Sequence, residues 1–432
     1  MSPRRSNATW PLPSAKPEEV GMSSERLARI VPTLQKYLDR KMVPNLVTIV
    51  ARHGQIVHFE AQGNMALDGG NPMGKDALFR LFSMTKAIAG VATMICVEEG
   101  ILNLDDPVSK FIPAFKDPVV RVLDPKGGPE GGRPPAVTVP TVPAEREVTL
   151  RDCLRNTTGF ATLRRAPMLY LQEYRDAIDE MAWFPNSAKQ PGSVREQVEG
   201  QAKLPLAFQP GTEFEYHVGY LALGLALEVA TGKTLEEFFQ ERIFKPLGMK
   251  DSSFYPPKSK LNRFPICYRP SRRGGDWKLS VFERPEESEK VKGPKTFFGA
   301  GGDRGGVVST AADYVRFAQM LSNGGELDGV RILGRKTVEL MTSCHTGPDV
   351  HVTMAGAGFG FGMGVGVFEG GGVPRLRSVG TFGWGGAAGT MFFVDPWEDL
   401  VAACFTQVMM HRTWPDNNYL EDFEQLVYQA LT

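Results

Sequence analysis

The sequence predicts an α/β protein whose sheet domain is built from both ends of the chain, with a smaller helical region between them. Two pairs of strand-like runs carry this prediction. Residues 46–52 and 56–61 near the beginning, and residues 389–395 and 400–407 near the end, are rich in β-branched and aromatic side chains. Because the intervening segments are helical or loop-like, we expect one sheet domain closed by the two termini and interrupted by an insertion.

The first elements are predicted to be a helix and a hairpin. Ser24 is expected to cap a helix whose apolar residues keep helical spacing as far as Leu38, and Pro32 is expected to bend it. The tripeptide HGQ at 53–55 separates the first two strand-like runs and indicates a hairpin. Residues 1–20 are predicted to be a mobile leader.

Helical spacing returns several times in the middle and at the end of the chain. One helix is predicted from Ser83 to Glu99, and another in the nearly all-apolar stretch 219–232. Thr310 opens a third helix with a motif that resembles a capping box. A final amphipathic helix carries Leu420, Phe423, Val427 and Leu431.

Domain boundaries follow from this distribution. Residues 21–99 and 236–432 are predicted to form the discontinuous sheet domain. Residues 100–235 are predicted to form a mainly helical, loop-rich domain that shapes the pocket. Within it, residues 121–147 are so rich in proline and glycine that we expect a loop.

Composition excludes several classes of function. Lys plus Arg and Asp plus Glu both total 49, and no block of like charges suggests nucleic-acid binding. Neither a secretory signal nor an apolar run of membrane-spanning length is visible, so a soluble cytoplasmic protein is expected. The five cysteines and six histidines lack metal-ligand spacing, so we expect no metal. The partner is expected to be a small molecule, and the oligomeric state stays open.

The glycine-rich segment GAGFGFGMGVG at 356–366 contains glycines in a spacing similar to that of dinucleotide-binding loops. It alternates glycine with apolar residues, which is typical of a tightly packed strand rather than of a strand-turn-helix junction. We therefore expect no cofactor. The nucleophile elbow G-x-S-x-G of the α/β-hydrolases does not occur.

Ser83-Met84-Thr85-Lys86 is the first motif that indicates chemistry. Residues at positions i and i+3 of a helix share a face, so the Ser83 hydroxyl and the Lys86 amine can meet as nucleophile and base. Burial among apolar neighbours would lower the pKa of the lysine, as this role requires. The alternative without catalysis is a helix-capping serine followed by a solvated lysine.

The surrounding sequence resembles a known family. FSMTKAIAGVATMICVEEGILNLDDPV, LRNTTGF, PGTEFEYHVGYLALG and GWGGAAGTMFFVDP are similar, in order, to conserved blocks of the penicillin-binding, β-lactamase-like serine hydrolases. This resemblance implies the β-lactamase/DD-peptidase-like fold, a central antiparallel sheet flanked by helices plus a smaller helical domain. It also implies that Ser83 is the nucleophile and Lys86 the base, with the active site in the cleft between the two domains.

A Tyr-x-Asn motif supplies the next proton-handling group in that family. The matching segment here is Tyr216-His217-Val218, so the resemblance implies that Tyr216 is catalytic while Val218 replaces the asparagine. A phenol near Lys86 can relay the Ser83 proton to a leaving group. Packing as a buried tyrosine is the alternative for Tyr216, and His217 is expected at the surface or behind the site.

The third family element is a Lys-Thr-Gly strand, and Trp384-Gly385-Gly386 stands in its place. Tryptophan removes the cation that would bind a β-lactam or peptide carboxylate, and a Trp-Gly-Gly strand resembles the family VIII carboxylesterases. These three residues are expected to line the substrate pocket. By the same resemblance, the backbone N–H groups of Ala387 and Ser83 form the oxyanion hole. The alternative is that Trp384 only packs in the hydrophobic core.

These motifs together predict a serine carboxylesterase that cleaves short-chain esters through a Ser83 acyl-enzyme, with weak β-lactam hydrolysis as a side activity. Other acyl-transfer activities on the same scaffold are the rivals, namely a β-lactamase, a D-amino-acid peptidase or amidase, or an acyltransferase. A binding protein that keeps only the fold is the remote alternative.

Overall fold

The computed structural model describes residues 11–122, 140–160, 193–216, 218–288, 306–347, 350–352 and 356–432. Its strands are β1 Asn45–Arg52, β2 Gln55–Ala66, β3 Gly69–Pro72, β4 Phe79–Arg80, β5 Val119–Arg121, β6 Thr141–Pro143, β7 Cys267–Arg273, β8 Asp276–Glu283, β9 Val308–Ser309, β10 Glu326–Leu327, β11 Val330–Arg331, β12 Phe359–Phe361, β13 Gly366–Phe368, β14 Phe382–Gly386, β15 Thr390–Asp395 and β16 Leu400–Phe405. Its α-helices are α1 Ser24–Leu27, α2 Ile30–Asp39, α3 Thr85–Glu98, α4 Leu150–Arg155, α5 Val194–Ala202, α6 Gly219–Thr231, α7 Leu235–Phe239, α8 Ala311–Ser322, α9 Arg335–Thr342 and α10 Tyr419–Tyr428.

An eight-stranded sheet forms the centre of the fold, in the order β12-β13-β14-β15-β16-β1-β2-β3. Every neighbouring pair is antiparallel. Strand β1, from near the beginning of the chain, pairs with β16, from near its end, so that Val47 lies opposite Phe405. The predicted α/β fold class with a central antiparallel sheet is therefore confirmed, and so is the hairpin between β1 and β2.

Both faces of this sheet are covered by helices. Val47, Ile49 and Ala51 of β1 point into a core that also contains residues of α3 and α8. Leu46 and Val50 point to the other side, into a second core with α2 and α10. Successive strand residues alternate between faces, so a strand with apolar residues at nearly every position must be buried on both. The core between the sheet and α8 also contains residues of α3, so the start of α3 is fixed by buried packing.

The N-terminal helix differs from its prediction in two details. Ser23, not Ser24, is the N-cap, and its hydroxyl accepts a hydrogen bond from the Arg26 amide at 3.2 Å. The helix is broken rather than bent, because α1 ends at Leu27 and α2 begins at Ile30. Pro32 then occupies the first turn of α2, where its missing N–H costs nothing.

Two other segments also correct the sequence analysis. The glycine-rich run forms a hairpin of two short strands, β12 and β13, rather than one strand. Gly364 lies in its turn with φ +98°, and a side chain there would meet the Lys86 carbonyl oxygen at 2.5 Å. The predicted loop 121–147 contains strand residues at both ends, because β5 pairs with β6, while residues 123–139 lie outside the described residues.

Other helix predictions agree with the structure. Helix α6 ends at Gly232, which adopts a left-handed conformation with φ +68°, and α8 begins after the N-cap Thr310. The domain boundaries at residues 99, 100, 235 and 236 stay predictions. Within the described ranges, no helix combines the length and apolar composition that crossing a membrane requires.

Candidate active site

Ser83 lies on a short 3₁₀ turn, Phe82–Met84, between β4 and the first residue of α3. The regular helix begins two residues later than predicted. Phe82 has φ +46°, a conformation that costs free energy in a residue with a side chain. The strained turn is fixed by surrounding bonds, since the Leu81 amide donates to the Val307 carbonyl at 2.9 Å and the Tyr314 hydroxyl donates to the Met84 carbonyl at 2.9 Å. The nucleophile candidate is thus rigidly presented and half-exposed.

Lys86 lies in the first turn of α3 and is completely buried. Its Nζ lies 3.3 Å from the Ser83 Oγ, which is a long hydrogen bond. Water is excluded from this amine, and loss of hydration disfavours the charged form of a lysine. The structure therefore brings the predicted nucleophile and base together in an environment that suits proton transfer.

Tyr216 lies directly beside this pair. Its ring centroid is 4.6 Å from the Lys86 Nζ, and the residue is 5% exposed. His217, its neighbour in the sequence, lies outside the described residues. Val218 is buried in the main core, so its apolar side chain packs where the family motif has an amide.

Trp384 contacts Tyr216 through both its ring and its N–H group. The indole Nε1 donates a hydrogen bond to the Tyr216 hydroxyl oxygen at 2.6 Å, and the two ring centroids are 5.5 Å apart. Phe361 packs edge-on against the indole with a centroid distance of 4.9 Å, and Phe214 lies against Phe361. Trp384 therefore hydrogen-bonds Tyr216 as well as packing against it.

The strand that carries Trp384 comes very close to the Ser83 turn. A side chain at Gly386 would lie 2.3 Å from the Leu81 carbonyl oxygen, so only glycine fits there. Ala387 follows, and its carbonyl accepts a hydrogen bond from the Met410 amide at 2.8 Å. Among the described residues, no backbone carbonyl accepts a hydrogen bond from the N–H of Ala387 or of Ser83. An oxyanion hole needs two such N–H donors, and the predicted pair therefore stays a prediction.

The loop that bears Tyr216 is held by a charged cluster around Asp152. This carboxylate is completely buried, and it accepts hydrogen bonds from Arg155 at 2.9 Å and from Arg146 at 3.0 Å. Burial would raise the pKa of Asp152, but the bonds from Arg146, Thr149 and Arg155 outweigh it and hold the pKa below its ordinary value. The next loop then binds the Tyr216 segment, because the Asn156 carbonyl accepts from the Glu215 amide at 2.8 Å.

Two residues near the site were missed by the sequence analysis. Tyr220 lies in the first turn of α6, four residues after Tyr216, and its ring centroid is 5.0 Å from the Lys86 Nζ. Arg80 is buried three residues before Ser83, and Gln407 binds both its backbone N–H, at 3.1 Å, and its carbonyl, at 3.3 Å. The segment PGTEFEYHVGYLALG contains Tyr220 and was a usable signal for the first residue, whereas contacts between distant segments cannot be read from local spacing.

Metal ligands do not gather near these groups. Within the described part of the chain, His, Cys, Asp and Glu side chains form no group of three or more that would hold a metal ion. The chemistry available from the described side chains is that of a serine and a tyrosine that each contact the same buried lysine, with glycine-rich strand backbone near the serine. Nucleophilic acyl transfer uses such a set.

Comparison with known proteins agrees with this arrangement. The family model described as Beta-lactamase matches residues 30–423. The chain belongs to the beta-lactamase family. As a member, it has the beta-lactamase and penicillin-binding-protein fold, and it is a serine hydrolase with esterase relatives.

Two of these relatives are esterases by name. This chain is 31% identical over 244 residues to "Esterase EstB" of Burkholderia gladioli, and the match covers 56% of this chain and 54% of EstB. It is 29% identical over 324 residues to "Lovastatin esterase" of Penicillium rubens, covering 73% of each chain. Among solved structures, that of EstCE1 superimposes with a TM-score of 0.71 at 24% identity, covering 94% of this chain and 99% of EstCE1, which shows the shared fold.

Proposed function

We propose that this serine hydrolase is a carboxylesterase that cleaves short-chain carboxylic esters through a Ser83 acyl-enzyme. The observation that carries the choice of esters is the hydrogen bond from the Trp384 indole to the Tyr216 hydroxyl at 2.6 Å. An uncharged ring stands at the strand position where the resemblance to β-lactam-binding relatives would require a cation. The names of the two esterase relatives support the same choice.

The acylation step follows from the contacts. Neutral Lys86 takes the proton of the Ser83 hydroxyl, 3.3 Å away, while the Ser83 oxygen attacks the ester carbonyl carbon. The carbonyl oxygen becomes an oxyanion, which the N–H groups of Ser83 and Ala387 stabilise. The bond to the alcohol oxygen then breaks, and the leaving alkoxide receives a proton from Tyr216 or Lys86. An acyl group remains on Ser83.

Deacylation repeats the sequence with water. A water molecule attacks the acyl carbon, loses a proton to the Lys86 and Tyr216 pair, and releases the carboxylic acid with the Ser83 hydroxyl restored. An alcohol in place of water would give a new ester. The solved neighbour EstCE1 is described as "a hydrolase with promiscuous acyltransferase activity", which supports transfer to alcohols as the second candidate activity.

We expect p-nitrophenyl acetate and butyrate to be hydrolysed at least about 10²-fold faster, in kcat/KM, than a chromogenic cephalosporin, because the pocket offers an uncharged indole where a β-lactam carboxylate would need a cation. Initial rates of the purified protein measure this ratio. The octanoate ester in the same series reports acyl-chain length. A cephalosporin rate above the ester rates would mean that Trp384 does not set the preference and that the protein is a β-lactamase.

The variant Trp384→Lys tests the cause of that preference. We expect it to raise the cephalosporin-to-ester ratio of kcat/KM about 10-fold or more, because it places an ammonium beside Tyr216 and removes the indole donor. Trp384→Phe is the matched control, since it removes the donor without adding a charge. Both variants should lose ester activity, and only the lysine variant should gain in the ratio. An equal ratio in the two variants would argue against a charge-based preference.

A further inference from the structure

Tyr220 is held in a fixed position next to the Ser83 and Lys86 pair. It lies in the first turn of α6, four residues after Tyr216, and it is completely buried. Its hydroxyl donates a hydrogen bond of 2.6 Å to the Leu154 carbonyl of α4. The hydroxyl of Tyr220 is therefore bound to α4, while its ring lies against Lys86.

The two tyrosine rings form an aromatic pair around the Lys86 amine. Their centroids lie 4.6 Å (Tyr216) and 5.0 Å (Tyr220) from Nζ. A ring within about 6 Å attracts an ammonium ion through its quadrupole, and the attraction is strongest where the cation has lost its water. A neutral amine gains little from the same ring. The pair thus favours the protonated form of a lysine whose burial favours the neutral form.

We propose that Tyr220 is a positioning residue that holds Lys86 beside Ser83 and stabilises the ammonium formed when Lys86 takes the Ser83 proton. The inference rests on the proposed function, because that proton transfer is its first step. The step is balanced, since the proton leaves Oγ for Nζ while the oxygen forms the new bond to the acyl carbon.

Several described ionisable groups on the elements beside Lys86 have pKa values that burial raises. Burial raises the pKa of Tyr220 well above its ordinary value, and the same holds for Cys153 behind it. On the side of α8, burial also raises the pKa of Tyr314 well above its ordinary value. On the side of the β12–β13 turn, the backbone of Gly364 packs against the helix. An acid limb that shifts between variants at position 220 is therefore expected to report Lys86, whose Nζ contacts the Tyr220 ring.

The test compares phenylalanine with a ring-fluorinated phenylalanine at position 220, in the full-length protein. Both lack the hydroxyl, so both lose the bond to Leu154, and they differ in the negative potential of the ring face. The fluorinated ring should favour the ammonium less. We expect the acid limb of kcat/KM for p-nitrophenyl butyrate to move about half to one pH unit lower, and the plateau to fall roughly 3- to 10-fold. Tyr220→Phe should keep the wild-type limb.

Identical limbs for the two side chains would overturn the inference, and so would a shift already present in Tyr220→Phe, which would assign the effect to the hydroxyl. Thermal unfolding midpoints of both variants report folding. If the fluorinated variant does not accumulate as folded protein, Tyr220→Leu replaces it, with the same expected shift. Ser83→Ala separates the two proposals. If Ser83→Ala is active, the proposed function is refuted. If Ser83→Ala is inactive and the acid limbs of the two variants at position 220 are identical, only the role of Tyr220 is refuted.

Discussion

Replacing Ser83 with alanine is expected to reduce kcat/KM for p-nitrophenyl butyrate by a factor of about 10⁴ or more, because no acyl-enzyme can form without the Oγ. The fold should not suffer, since Ser83 is partly exposed and the turn is held by bonds that do not use its side chain, namely the Leu81 amide to the Val307 carbonyl and the Tyr314 hydroxyl to the Met84 carbonyl. Initial rates and the thermal unfolding midpoint, measured on the same preparation, give both quantities.

Ser24→Ala is a suitable control for this prediction. Ser24 is exposed on α1, and its hydroxyl binds Glu18 at 2.7 Å, away from the site. Its removal should leave the ester rates unchanged and should not affect labelling by a serine-directed fluorophosphonate. Ser83→Ala should not be labelled. An essential nucleophile cannot be removed with a loss of only about 10-fold. Ester activity of Ser83→Ala within that factor of wild type would therefore place the nucleophile elsewhere.

Replacing Lys86 with methionine is expected to lower kcat/KM by about 10² to 10⁴, the usual contribution of a general base. The free energy of unfolding should rise or stay unchanged. Lys86 is completely buried, and methionine has a similar length and no charge to desolvate. A loss of activity with an unchanged or raised unfolding midpoint therefore separates catalysis from structure, and steady-state kinetics with differential scanning calorimetry measure the two.

Lys36→Met is the matched control for that substitution. Lys36 is half-exposed and pairs with Asp422 at 2.6 Å on the opposite side of the sheet. It should have wild-type kinetics. If Lys86→Met kept wild-type kcat/KM across the pH range, another group would be the base, and the contact of 3.3 Å between Lys86 and Ser83 would be a structural one.

Local patterns in the sequence predicted the four strands β1, β2, β15 and β16 of the central sheet. The hairpin of β1 and β2 follows from two apolar runs separated by His53 and Gly54, and both of these residues adopt positive φ, at 51° and 71°. The predicted bend at Pro32 was wrong, because proline in a first helical turn is tolerated, and the break between α1 and α2 was not predicted. The alternation of glycine with apolar residues at 356–366 indicated a single strand, so the turn at Gly364 was not predicted.

The site was predictable only where its residues belong to short motifs. Ser83 and Lys86 are three residues apart, and their contact follows from helical spacing. The hydrogen bond from Trp384 to Tyr216 joins residues 168 positions apart, so no local pattern contains it. The strain at Phe82 also depends on tertiary contacts, since the turn is held by Val307 from another segment. Resemblance to a family placed these residues in one site, but their contacts required the structure.

The most direct test of the proposed mechanism is peptide mass spectrometry of the enzyme quenched with acid during turnover of p-nitrophenyl butyrate. A butyryl group on the peptide that contains Ser83, absent from the same peptide of Ser83→Ala, is the predicted result. Slow deacylation in Lys86→Met should increase the butyrylated fraction of any acyl-enzyme that forms. A butyryl group on another residue, or full turnover without an acyl group on Ser83, would contradict a Ser83 acyl-enzyme and with it the proposed esterase mechanism.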